Sequence, residues 1–207
     1  MTRQTLTGAS RIAMTLDEDA EQMSPDRLRA LPPGEYSRVT NPERFAPLHR
    51  FALDLLERLQ AGLDAERVEG EEPDPGQGLA QLARPSVKLT PSDSKAAPIV
   101  VSFTIFPGVI VRCGRWLALT FPACGCDACA ETAEGEQRRL MDVIDDVVGG
   151  RFRESIRIPL LGAAEQRWEL WSSTHRMGGR ARIPRSRARA LVNADSRKLD
   201  WSPWPPR

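Results

Sequence analysis

The feature that most constrains the fold is a series of four β-branched and aromatic runs that follow one another closely along the chain. They cover residues 87–90, 99–106, 109–113 and 116–121, and only short segments containing Pro107-Gly108 and Gly114-Arg115 separate the last three. Segments this short permit hairpins but leave no room for the helix of a parallel crossover. The sequence therefore predicts an antiparallel meander.

A helix is predicted before the meander. Asn41 has N-cap chemistry, Pro42 suits the first helical position, and Glu43 places a negative charge in the first turn. Apolar residues then recur at spacings of three and four, which puts them on one helical stripe. They are Phe45, Leu48, Ala52, Leu55, Leu56, Leu59 and Leu63.

A second helix is predicted after the meander, with Asp127 as its cap and Gly149-Gly150 as its end. Its apolar stripe contains Ala130, Ala133, Leu140, Met141, Ile144, Val147 and Val148. Charged and apolar residues alternate over 151–158 and less regularly over 166–171, which favours a further hairpin. The predicted fold class is α+β, an antiparallel sheet of about five to six strands with two main helices packed on one face.

The 207 residues suit a single domain of ordinary size. Residues 1–35 lack a sustained apolar period and are predicted to form a flexible N-terminal arm. Residues 36–172 are predicted to form a single α+β domain, interrupted over 66–82 by an acidic solvent loop rich in Gly and Pro. Residues 173–207 are predicted to be an extension, first rich in Arg and then in Trp and Pro.

The charges nearly balance, with 29 Lys and Arg against 28 Asp and Glu. This balance excludes a uniformly basic coat protein and an acidic solvating tail. No apolar run has the length of a signal peptide or approaches the roughly 20 residues of a membrane span. We therefore expect a cytoplasmic protein without a membrane partner.

Three cysteines, Cys124, Cys126 and Cys129, lie within six residues at the predicted junction of strand and helix. In a reducing compartment such a cluster indicates metal ligands, reactive thiols or core residues rather than disulfides. Zinc takes about four ligands in a tetrahedral array, and this spacing fills three corners if Gly125 lets the backbone turn tightly. A structural zinc site in a noncatalytic domain is the leading interpretation.

The fourth ligand must come from elsewhere, and His49, His175, Asp127 and a water molecule are the candidates. We include His49 in the predicted metal set. Cys113 is disfavoured, because a strand at 116–121 would separate it from the cluster. It also shares strand parity with Val109 and Val111, as a buried core thiol would.

Two other interpretations of the cluster stay open at this point. The cysteines either pack the junction without metal, or one of them serves a thiol-dependent enzyme or redox sensor. The chain has only two histidines, and Ser172 and Ser173 beside His175 lack the context of a nucleophile elbow. No P-loop or dinucleotide turn is present in the sequence, so it does not decide whether the protein catalyses a reaction.

Residues 176–198 contain seven Arg and one Lys against a single acid, Asp195. The segment from Arg180 to Arg189 could attract the phosphates of a nucleic acid. Residues 57–74 carry seven acids against two basic residues, however, so intramolecular pairing or self-association between the two patches is the favoured interpretation.

Five motifs resemble an uncharacterised actinobacterial family, a domain of unknown function. They lie at 41–49, 106–108, 114–116, 121–129 and 150–154, and the most specific reads Phe-Pro-Ala-Cys-Gly-Cys-Asp-Ala-Cys. The resemblance spans about residues 36–171. It implies an intracellular bacterial setting and a pattern of Cys124, Cys126 and Cys129 with Asp127, without Cys113, and it implies no reaction.

Overall fold

A computed structural model describes residues 38–70, 81–192 and 197–207. The predicted N-terminal arm and most of the acidic loop lie outside the described residues. The described chain has three α-helices and nine strands in two antiparallel sheets. The predicted α+β class is confirmed, with the strands divided between two sheets rather than gathered in one.

The first sheet is the predicted meander with one additional strand. Its strands are β1 (Ala65–Glu69), β2 (Leu82–Pro91), β3 (Ile99–Thr104), β4 (Val109–Cys113) and β5 (Leu117–Phe121), paired in chain order. Val111 lies opposite Val101 on one side and Leu119 on the other. β1 pairs with β2 over Ala65 to Glu69, so a strand replaces the start of the predicted acidic loop.

The second sheet contains β6 (Phe152–Arg157), β7 (Ala164–Trp171), β8 (Arg176–Ile183) and β9 (Lys198–Asp200). Its strand order is β8-β7-β6-β9. β6 and β7 are the predicted hairpin. β8 and β9 lie in the segment for which the sequence predicts an extension, and each forms one edge of this sheet.

The two main helices are α1 (Pro47–Gly62) and α2 (Ala133–Val148), and a short third helix, α3, spans Arg185–Leu191. Asn41 precedes a 3-10 turn at Pro42–Phe45, and its side chain makes no capping hydrogen bond. The predicted cap of the second helix, Asp127, is wrong, because α2 begins six residues later. Thr132 caps α2 by accepting a hydrogen bond from the amide of Gly135 at 3.1 Å.

The main core lies between the apolar faces of α1 and α2 and the inner faces of both sheets. The C-terminal tail completes it, since Trp201 and Trp204 are buried in the same cluster. The indole of Trp204 donates to the carbonyl of Ala97 at 2.9 Å, and Leu63 forms a β-bridge with Pro206. The tail therefore lies across the domain as part of it.

Within the described ranges, no helix is both long and apolar enough to span a membrane.

Candidate metal centre

The sulfur atoms of Cys124, Cys126 and Cys129 all lie within 4.8 Å of one another. The sulfurs of Cys126 and Cys129 are 3.3 Å apart. Four thiolates at about 2.3 Å from a tetrahedral zinc ion are separated by about 3.8 Å. The loop thus brings three soft ligand atoms close to the spacing of three corners of such a site.

Gly125 allows the loop to turn between the first two cysteines. Its φ angle is +76°, in the left-handed region that favours glycine. A Cβ at this position would lie 2.8 Å from Cζ of Phe106 and 3.2 Å from Cγ of Pro122. The tight turn predicted at Gly125 is therefore present, and the β3–β4 turn packs against it.

Two charged side chains hold the backbone of this cysteine loop. The Glu131 carboxylate accepts hydrogen bonds from the amides of Cys124 at 3.2 Å and Gly125 at 2.6 Å. The Arg44 guanidinium donates to the carbonyls of Gly125 at 2.9 Å and Cys126 at 3.3 Å. Together they satisfy two amide groups and two carbonyl groups of the loop, so they hold the backbone that carries the sulfurs.

Asp127 ties the loop to the segment that precedes α1. Its carboxylate accepts hydrogen bonds from the amide of Thr40 at 3.1 Å and from the Thr40 hydroxyl at 3.2 Å. Its own amide donates to the carbonyl of Arg38 at 2.9 Å. These hydrogen bonds from Thr40, together with the positive charges of Arg44 and Arg38, lower the pKa of Asp127.

The three thiols differ in exposure and in acidity. Cys126 is buried, whereas Cys124 and Cys129 are exposed. Hydrogen bonds with the side chain of Cys124 foremost, and with Cys129, lower the pKa of Cys126 against the opposing effect of desolvation. Partial desolvation and the neighbouring sulfurs raise the pKa of Cys129 to about 12. The cluster therefore presents two sulfurs to solvent and one to the protein interior.

Cys113 occupies the position expected of a core thiol. It is buried at the end of β4, opposite Leu117, whereas the cysteine loop follows the far end of β5. Burial, and secondarily the charge of Glu154, raises the pKa of the Cys113 thiol well above its ordinary value.

The histidines considered as fourth ligands have other partners. Nε2 of His49 lies 2.9 Å from the carbonyl oxygen of Gly108, and its ring packs edge-on against Phe103. Nε2 of His175 lies 2.8 Å from Oδ2 of Asp146. Within the described part of the chain, the group of close ligand atoms contains the three cysteines and neither histidine. The assignment of His49 as a metal ligand stays a prediction.

His175 belongs to a hydrogen-bonded chain that the sequence does not predict. Ser172 Oγ lies 2.8 Å from its Nδ1, and Asp146, which is 1% exposed, lies at its Nε2. Ser172 Oγ also accepts the amides of Thr174 and His175 at 3.1 Å each, so it closes the β7–β8 turn. One feature of the sequence could have indicated this chain: Asp146 is a carboxylate next to Val147, on the apolar side of the predicted second helix.

The arginines of residues 180–189 lie on the edge strand β8 and on α3. Arg180, Arg182, Arg187 and Arg189 are exposed, and Arg185 donates to the carbonyl of Leu160 at 2.7 Å. Between the described residues of this segment and those of the acidic segment 57–70 there is no ion pair. Pairing of the two patches, within one chain or between copies of it, stays a prediction.

Comparison with known proteins agrees with the resemblance to a family of unknown function. No curated protein and no solved structure matches the chain. One family model matches, and the match includes the C-terminal strands and most of the predicted arm, beyond the range expected from the motifs. The chain belongs to the family of unknown function DUF6226, whose model covers residues 17–207.

Proposed function

We propose that Cys124, Cys126 and Cys129 bind a structural zinc ion, and that the domain is noncatalytic. The observation that carries the proposal is the approach of all three sulfurs to within 4.8 Å of one another. Thiolate sulfur is a preferred ligand of zinc, and three such ligands leave one tetrahedral corner to fill. The family is one of unknown function, and neither it nor the expected actinobacterial origin names a reaction.

The location of the cluster explains what a metal would stabilise. The cysteine loop joins β5 to α2, and it contacts the segment before α1 through Asp127 and Arg44. An ion held by the three sulfurs would crosslink the loop at the point where sheet and helices meet. A structural metal contributes its binding free energy to folding in this way.

Since Cys124 and Cys129 are exposed, the remaining corner of such a site would lie on the solvent side. His49, His175 and Asp127 each have hydrogen-bond partners elsewhere. We therefore favour a water molecule, the fourth of the candidates, over these three side chains. Glu131 and Arg44 would act as positioning residues, because they contact the loop backbone and not a ligand atom.

The alternative from a different class is a thiol-dependent enzyme or redox sensor. A depressed thiol pKa favours it, but the thiol with the lowered pKa, Cys126, is only 2% exposed. A reactive thiol must meet its substrate or oxidant, so this burial favours the metal site. Rapid alkylation of one native thiol at neutral pH would support the alternative.

Metal analysis tests the zinc proposal. The wild type is purified without a histidine tag, incubated with zinc and freed of unbound metal, beside Cys126→Ser and the matched control Cys113→Ala. We expect about one zinc per chain in the wild type and in Cys113→Ala, and loss of zinc in Cys126→Ser. A folded wild type with less than about 0.2 zinc per chain would overturn the proposal.

Thermal unfolding separates a structural metal from an incidental one. Removal of zinc with a chelator should lower the Tm of the wild type and of Cys113→Ala, and leave that of Cys126→Ser unchanged. A Tm that is equal with and without bound zinc would show that the metal has no structural role.

A further inference from the structure

The β6–β7 turn carries two adjacent leucines that are almost fully in solvent. Leu160 is 95% exposed and Leu161 is 89% exposed, whereas the next most exposed large apolar side chain of the described residues, Ile105, reaches 61%. Single apolar residues are common on protein surfaces. Two neighbouring leucines at the tip of a hairpin, with neither packed on the domain, point to a contact outside the chain.

The base of this turn is fixed to the domain. Ile158 packs against the smaller apolar cluster, and Ala164, where β7 begins, is fully buried in it. The carbonyl of Leu160 accepts the hydrogen bond from Arg185 of α3. The leucines therefore project from a turn whose base is held by the domain, so less conformational entropy is lost on binding.

Exposed arginines lie on the strands and the helix that adjoin the turn. The strand register places Arg157 opposite Glu165 and Glu165 opposite Arg182, directly below the turn. Glu165 forms its ion pair with Arg167. Arg157, Arg182 and the α3 residues Arg187 and Arg189 are exposed and make no ion pair with a carboxylate of the described residues. The apolar tip is thus flanked by exposed arginines, of which Arg157 also interacts electrostatically with Glu165.

We propose that this leucine tip, Leu160 and Leu161 with the exposed arginines of the adjoining elements, docks on an anionic lipid bilayer. The leucines would enter the boundary between headgroups and acyl chains while the arginines contact lipid phosphates. A nucleic acid would use the same arginines, but its apolar base faces are stacked on one another, so insertion of the leucines would first require unstacking. The expectation of no membrane partner rests on the length of a membrane span, which does not bear on surface docking.

Sedimentation with vesicles tests the proposal. The wild type is mixed with vesicles of phosphatidylglycerol and phosphatidylcholine, and with vesicles of phosphatidylcholine alone. We expect binding to the anionic vesicles that weakens as salt is raised, and little binding to the neutral ones. No binding to anionic vesicles at low ionic strength would overturn the proposal.

Two variants and one control identify the contact. Leu160→Ser with Leu161→Ser, and separately Arg157→Gln with Arg182→Gln, should each weaken vesicle binding by about tenfold or more. Val68→Ser, an exposed apolar position on β1 of the other sheet, should bind as the wild type does. All substituted side chains are exposed, so circular dichroism should show unchanged folding.

The variants that lose binding show whether the partner is a lipid bilayer or a nucleic acid. If the leucine variant binds vesicles as tightly as the wild type while the arginine variant does not, the association is electrostatic adsorption and insertion is refuted. If vesicles bind none of the proteins and single-stranded DNA binds the wild type in a way that depends on Arg157 and Arg182, the surface is a nucleic-acid site instead.

Discussion

The indole Nε1 of Trp201 donates a hydrogen bond to Oε2 of Glu154, at 3.1 Å, inside the core. The same carboxylate accepts the amide of Arg115 at 3.0 Å and the amides of Trp116 and Leu117 at 2.8 Å each. One fully buried side chain on β6 therefore joins the C-terminal tail to the β4–β5 turn, and so links the two sheets. Gly114 makes room for it, since a Cβ there would lie 2.5 Å from Oε2.

Replacement of Glu154 by Gln should destabilise the domain by about 3 kcal/mol. An amide has one acceptor oxygen where the carboxylate has two, so its NH₂ group would face two of the four N–H donors. Urea unfolding measures the change. Glu165→Gln, the same substitution on the neighbouring strand at a partly exposed position, should cost less than about 1 kcal/mol. Equal costs would show that the buried hydrogen bonds contribute little.

The C-terminal residues should be required for folding. A chain that ends at residue 172 lacks β8 and β9, and it lacks Trp201 and Trp204 from the main core. We expect this chain to show no cooperative thermal transition. In the full chain, Trp204→Ala should cost about 3 to 5 kcal/mol, whereas the exposed Arg207→Ala should cost little. Cooperative unfolding of the shortened chain would show that residues 36–172 fold alone.

The sequence predicts the elements that local patterns determine. The meander follows from the spacing of its apolar runs, and the core face of α1 follows from the period of Leu48, Ala52 and Leu55, all of which are buried. The burial of Cys113 follows from the alternation along β4, which puts its side chain on the same face as Val109 and Val111. In each case the signal lies within one or two neighbouring elements, where periodicity and turn length suffice.

What the sequence does not predict depends on contacts between distant residues. β8 contains Gly178 and Gly179 and few apolar residues, so no alternation marks it as a strand, yet it pairs with β7 along its whole length. At the cysteine loop, the spacing indicates three ligands but not Arg44, which reaches Gly125 from 81 residues away. Tertiary packing selects such partners, and a single sequence carries no local trace of them.

The chain of Ser172, His175 and Asp146 should act as a structural connection rather than a catalytic one. Asp146 also forms an ion pair with Nε of Arg151 at 3.0 Å. Asp146→Ala therefore removes the carboxylate partner of both Arg151 and His175. We expect a loss of about 2 to 4 kcal/mol in unfolding free energy. Ser172→Ala should cost about 1 kcal/mol, because it removes the partly exposed hydrogen bonds that close the turn and the one to Nδ1 of His175. Asp142→Ala, at an exposed position of the same helix, is the control.

A phosphonate or sulfonyl fluoride that labels Ser172 at a measurable rate would contradict this structural role. The Ser172 hydroxyl already accepts two backbone amides, which reduces the availability of its lone pairs to an electrophile. We expect no labelling that distinguishes the wild type from Ser172→Ala. Mass spectrometry of the intact protein measures the adduct directly.

Ser86 and Ser102 should show strong energetic coupling. Both side chains are buried, and the Ser86 hydroxyl donates to the Ser102 hydroxyl at 2.8 Å across β2 and β3. Ser86→Ala leaves the hydroxyl of Ser102 buried without this partner and should cost about 1 to 2 kcal/mol. The double variant Ser86→Ala with Ser102→Ala removes both hydroxyls, so it should cost less than the sum of the two single variants by about 1 kcal/mol or more. Urea unfolding of all four proteins gives the coupling, and additive costs would show that the two hydroxyls do not depend on each other.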